Sequence, residues 1–166
     1  YWPGIVRRVR QNHALEHATI HMLSGLRKGA RVAGRSDWNG FVIYGDLDTS
    51  AVALAADRAL RRLQHGEAQL AVHPRCGTNL ASGIIAALLL GRVAALLFRS
   101  RGLSLVAVAL AASGGLALSR RLGRHVQEHV TTLCDLEDAH IAGIEQERVG
   151  GLVRHRVLVE HAGEPA

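Results

Sequence analysis

His13 and His17 stand four residues apart in Asn12-His13-Ala14-Leu15-Glu16-His17-Ala18-Thr19-Ile20-His21. On a helix, residues four apart share one face, one turn from each other. The two imidazoles can then hold a single metal ion, with His21 on the next turn and Glu16 bordering the face. The spelling H-x-x-E-H is the inverted zincin pattern, in which two histidines ligate zinc and the carboxylate takes up the proton of the attacking water. So short a pattern also arises in helices whose histidines are solvated or packed.

A second stretch, His73-Pro74-Arg75-Cys76-Gly77-Thr78-Asn79, places a histidine and a cysteine three apart. Both are competent ligands for a soft or borderline metal, and Pro74 and Gly77 predict a tight turn. Alone, the pair reads as a structural turn with a buried cysteine. Beside the first motif it offers a third and a fourth ligand. If His73 or Cys76 supplies only a third, the Zn²⁺ site keeps the open position that catalysis needs; if His13, His17, His73 and Cys76 all ligate, the site is closed and structural. In the open case Glu16 is the general base and Arg75 the group placed to stabilise an oxyanion. Another divalent ion fits the same donors.

His125-Val126-Gln127-Glu128-His129 spells H-x-x-E-H again. It can complete a shared site, build a second one, or lie on the solvated face of a helix. The last reading is preferred.

The elements that must position these residues follow from periodicity. Val6, Val9, Leu15, Ile20, Met22 and Leu23 predict a helix over 5–26, with Gly25 and Gly29 near its end and Arg27 and Lys28 at its negative pole. Residues 31–45 predict a β-hairpin around Asn39-Gly40. A helix over 51–65 with Val52, Ala56, Ala59, Leu60 and Leu63 inward follows, closed by Gly66. A third strand is expected over 67–73, stopped by Pro74. Late in the chain, Glu137 and Asp138 suggest the start of a short helix over 136–148, which Gly150-Gly151 would end. Residues 152–160 alternate as a last strand able to join the earlier ones, and 161–166 reads as a frayed tail.

Between these parts the composition changes. Residues 80–98 are almost wholly apolar, broken by Arg92, and 103–119 carry no charge. Runs of about 17–25 apolar residues can cross a bilayer as helices. With a polar break at Arg99-Ser100-Arg101, the two runs predict a membrane hairpin, and Ser82, Gly83, Gly91, Ser113, Gly114 and Gly115 allow close helix contact. Arg92 favours the alternative, a hairpin buried in a soluble bundle. Arginines before residue 80 and at 120, 121 and 124 outnumber those in the break, so both termini and the metal-site region are expected in the cytoplasm, at a bacterial inner membrane. The expected architecture is α+β: a metal-site region over 1–79 with a small mixed sheet, a membrane hairpin over 80–119, and a part over 120–166 that packs back on the first.

The totals agree with one domain of ordinary size: 166 residues, 48% apolar and only 4% aromatic, so the core is built from small aliphatic side chains. The formal charge is +6, with Lys28 the single lysine beside nineteen arginines. No nucleic-acid module is recognisable, and a lipid surface accounts for the charge. Two cysteines, Cys76 and Cys134, are too few for a disulfide framework. The first residue is Tyr1 rather than Met, which leaves room for an upstream segment, and no signal-peptide pattern is visible.

The order of these features resembles the YqhQ-like bacterial membrane proteins and related families of unknown function with a His-Ala-Leu-Glu-His-Ala-Thr motif. The resemblance runs from about Asn12 to Glu147. It rests on His13, Glu16, His17 and Thr19, on His73, Arg75, Cys76, Gly77 and Thr78, and more weakly on Thr131 and Thr132. It implies a metal-dependent enzyme in which the first motif and the His73–Cys76 turn share one site. His125, Glu128 and His129 match nothing in it, and the 31–45 hairpin and the last strand look particular to this branch.

Three functions compete. The first is a membrane-bound zinc hydrolase, by analogy acting on peptide or amide bonds. The second is a non-catalytic metal-binding membrane protein, structural or sensing. The third is a membrane-anchored assembly factor that uses its basic surface to hold an acidic protein partner.

Overall fold

A computed structural model describes residues 2–26, 32–98 and 101–162. The expectations placed on Tyr1, Arg27, Lys28, Gly29, Arg31, Arg99, Ser100 and the end of the tail lie outside the described residues. The fold is α+β, with five α-helices and a four-stranded sheet among the described residues. The chain divides into two compact units, one formed by Tyr1–His73 with Glu128–Ala166, the other by Pro74–Gln127.

In the first unit, helix α1 (Trp2–Leu26) is the central element. From Gln11 to Ile20 only His13 is more than slightly exposed. Such all-round burial explains the polar residues along this stretch: each must meet a partner as α1 is enclosed. α1 packs on helix α2 (Thr49–Gln64), on strands β1 (Ala33–Asp37) and β2 (Gly40–Tyr44), and on a 3-10 turn, Ala68–Ala71. Ala14, Leu15, Ala18 and Leu23 meet Phe41, Ile43, Val52, Ala56, Leu63 and Val157 in one core.

The sheet runs β1-β2-β4-β3, with β3 at Ala139–Val149 and β4 at Leu152–His161. Every pairing is antiparallel, so the expected mixed sheet is corrected. The hairpin and the last strand form as the alternation predicts, and β4 joins β2. Its His155, Val157 and Val159 face the core. Asp37 and Arg156 tie β1 to β4, with the guanidinium donating to both carboxylate oxygens. Burial pushes the Asp37 carboxyl up, but the bonds from Arg156 and the Asn39 N–H outweigh it and hold the group below its usual range.

Two expected elements differ. Residues 139–149 are strand, not helix. Gly150 and Gly151 take φ of +56° and +81°, the two left-handed positions of a tight hairpin turn, so they return the chain into β4 instead of capping a helix. A register shift between Ile141 and Gly143 marks a bulge. Residues 67–73 hold a 3-10 turn at Ala68–Ala71 and no third strand. Leu70 and Ala71 pack toward the core, and the turn leaves its last carbonyls facing α1.

In the second unit, α3 (Gly77–Leu97) and α4 (Arg101–Ala117) pack antiparallel, followed by α5 (Ser119–Val126). Gly91 meets the Val108 side chain and Gly115 lies on the backbone of Ala87 so closely that a Cβ would collide. Glycine there permits the contact, as expected, whereas Gly114 faces no neighbour. Among the described residues, α3 alone is by itself long and apolar enough to cross a membrane. Residues 102–117 and 119–131 pass together only as a pair bent by 50°. Leu80, Ile85, Leu88, Leu89, Leu96 and Leu97 of α3 are exposed.

Candidate functional site

The mid-section of α1 collects imidazoles. His13 and His17, one turn apart, have ring centroids 4.3 Å apart, edge to face, and offer ring nitrogens within 4.8 Å of each other. His73, just after the 3-10 turn, faces α1. Its ring lies 5.8 Å from that of His17 and 5.0 Å from that of His21. Four histidines from two segments 52 residues apart in sequence, counted from His21 to His73, are thus neighbours.

Backbone carbonyls orient them. His13 Nδ1 meets Thr131 O at 3.0 Å, and His17 Nδ1 meets Ala71 O at 2.6 Å. A carbonyl only accepts, so both rings donate through Nδ1–H, and in the neutral form Nε2 carries the lone pair. That is the tautomer a metal-ligating histidine adopts when its other nitrogen is held by a backbone acceptor. His21 is turned the other way, with Nε2 on Val72 O at 3.0 Å. The 3-10 turn therefore has a positional role: it directs two successive carbonyls, Ala71 and Val72, at two successive histidines of α1.

The segment after α5 is clamped to the same helix. Arg10 donates to His129 O and Thr132 O, each at 3.1 Å, and Arg7 pairs with Asp135 at 2.8 Å. Gln11 donates to Asp135 O. These bonds fix the Thr131 carbonyl that holds His13. On the opposite side, Asn12 is fully buried, donating to Asp37 O at 2.8 Å and accepting from His161 Nε2 at 3.0 Å.

Glu16 is 5% exposed. Strand β1 passes directly over it: a Cβ on Gly34 would collide with the Glu16 carboxylate. Glycine in a strand interior often marks such a close approach, so Gly34 is the trace of this packing in the sequence.

The other candidates stand in the second unit. Cys76 is the N-cap of α3, where its sulfur accepts from the Thr78 N–H at 3.4 Å. Arg75, next to it, is exposed. Two residues outside the expected site, Asn79 and Gln127, hold this turn. Asn79 Nδ2 donates to Pro74 O at 2.8 Å, and the buried Gln127 Nε2 donates to Asn79 Oδ1 at 2.7 Å. His125, Glu128 and His129, on either side of Gln127, are exposed.

Residues 8–144 match a family model described as a domain of unknown function (DUF6391). An uncharacterized protein of the cyanobacterium Picosynechococcus sp. is 36% identical over 138 residues, covering 77% of this chain and 67% of its own length. No solved structure matches. The matched span contains both candidate motifs and the β1–β2 hairpin, and β4 lies beyond it. The matches reach a family without an assigned function and do not extend to the YqhQ-like resemblance or its motif.

Proposed function

This chain belongs to the DUF6391 family, whose membership brings no activity with it, and we propose from the chemistry of its own residues that it is a membrane-bound, zinc-dependent hydrolase. The observation that carries the proposal is the pair His13 and His17, each with Nδ1 on a backbone carbonyl and therefore with Nε2 in ligand form. His73 is the third ligand on this reading, and Cys76, three residues along the chain, the alternative third or the fourth. Bound there, Zn²⁺ supplies Lewis-acid polarisation of a carbonyl. Glu16 is the carboxylate that takes up the proton of the attacking water on this reading. Arg75 is the candidate for oxyanion stabilisation. Peptide and amide bonds are the substrates that the inverted zincin analogy suggests. The YqhQ-like resemblance belongs to the same proposal.

The membrane part rests on α3. Its 21 residues at about 1.5 Å each match a hydrocarbon core of about 30 Å. Its large apolar side chains are exposed and not packed as a soluble core would pack them. Arg92 stands near the end of the helix, within snorkelling reach of the boundary. α4 with the bent α5 segment completes a hairpin, with both termini on the cytoplasmic side by the arginine bias.

Metal content of the detergent-purified chain, measured by elemental mass spectrometry, tests the proposal. We expect near one zinc per chain, lost in His17→Ala and retained in Cys76→Ser. Loss in both variants would replace the hydrolase with a closed structural site. A metal-free wild type after zinc reconstitution would remove both metal readings and leave the assembly factor.

A further inference from the structure

The turn Pro74-Arg75-Cys76 is held by more than its own proline. The Asn79 N–H donates to Cys76 O at 3.0 Å, and the Asn79 side chain donates to Pro74 O at 2.8 Å. One residue thus bonds two carbonyls of the turn. Its other side-chain polar atom, Oδ1, accepts from Gln127 Nε2 at 2.7 Å. Gln127 is 0% exposed and Asn79 9%, so these bonds are made away from water, where an unmet polar group is costly. The backbone of α5 has to come close for Gln127 to reach. Gly123 permits this, since a Cβ there would strike Asn79. Gln127 also begins a π-turn, Gln127–Thr131, a distortion that occurs often at functional sites.

We propose that Asn79 and Gln127 are positioning residues for Cys76, forming a relay that runs from the π-turn to the turn bearing the thiol. The inference rests on the metal-site reading for its purpose, though not for its geometry. It gives the second H-x-x-E-H a task that its histidines do not perform: the middle glutamine is the working residue. Asn79 is the pivot. Its acceptor side faces Gln127 and its donor side faces Pro74, so removing either bond loosens the turn while leaving the histidines of α1 in place.

The test uses the whole chain in detergent with Cys134→Ser as background, so that Cys76 is the single thiol. Gln127→Leu keeps the volume and removes the donor. Asn79→Asp keeps the acceptor for Gln127 and removes the donor to Pro74. Cobalt(II) is the probe: its ligand-field bands report the imidazoles and its thiolate charge-transfer band reports Cys76. Where Cys76 ligates, both variants should keep the ligand-field bands and lose the charge-transfer band several-fold, a split that general unfolding would not give; where His73 completes the open site instead, the wild type shows no thiolate band and the retained ligand-field bands show that the fold is intact. In the metal-free protein, alkylation of Cys76 by iodoacetamide should be several-fold faster in both. Wild-type alkylation rates in both variants would overturn the relay. If the wild type binds no cobalt, the hydrolase reading fails and the alkylation rates alone decide the relay.

Discussion

The chain spells H-x-x-E-H twice, and the two copies have different fates. At 13–17 the letters lie on a helix enclosed by a second helix, a sheet and a 3-10 turn, and carbonyls of distant segments hold His13 and His17. At 125–129 the same letters straddle the end of α5 and a π-turn, and His125, Glu128 and His129 are exposed. There the buried residue is Gln127, which the pattern leaves unspecified. Identical spelling thus has different chemical potential. What separates the copies is how far the fold takes each ring out of water: His17 is buried and His13 half-buried, while His125 and His129 are exposed.

The comparison can be broken or sharpened by experiment. The largest contrast should come from His17→Ala against His129→Ala. The first should lower metal affinity by more than the roughly 10- to 100-fold that loss of an orienting partner costs, and the second should leave it unchanged; equal losses in titrations with a competing chelator would make the copies equivalent. Next is Gly34→Ala, which forces a methyl against the Glu16 carboxylate. It should cost about 1–3 kcal/mol in thermal melts, as overpacking does, while metal content is retained. Gln127→Leu should cost about 1–3 kcal/mol by leaving the buried Asn79 oxygen without this donor, whereas His125→Ala should stay within about 0.5 kcal/mol. The last test concerns a histidine outside both copies. His155 is fully buried, and neither ring nitrogen has a hydrogen-bond partner. Burial pushes its pKa down, against a smaller upward pull from Asp48. The unfolded chain then binds the proton more readily than the folded one. The contribution of His155 to stability is complete above about pH 6.5, the ordinary imidazole value, and is lost as pH falls below it. His155→Phe should flatten that part of the melting profile.

Much of this was legible in the sequence. The α1 helix, the β1–β2 hairpin, α2 and the last strand follow from period and turn chemistry, because those signals act over a few residues. Residues 139–149 did not follow. Their acidic start and Gly150-Gly151 fit a helix end as well as a hairpin, and pairing with β4 decides between them. The site was legible in its ligand types and not in its supports. The carbonyls of Ala71, Val72 and Thr131 carry no side-chain signature. Their role depends on a 3-10 turn and a π-turn whose local patterns are weak. Gly34 left a trace as a glycine inside a strand, while Asn79 and Gln127 left none, since a buried amide looks like any surface amide until its partner is known.

The bulge in β3 carries a further consequence. β3 is an outer strand of the sheet, 11 residues long, with no strand beyond it among the described residues. A long, flat, apolar edge of that kind would template association with other chains. This one is kinked at Ile141/Gly143. It also presents His140, Glu145 and Arg148 to solvent. A second copy adding edge to edge would meet a broken ladder and would have to bury charges. The irregularity in the strand is therefore a guard against aggregation.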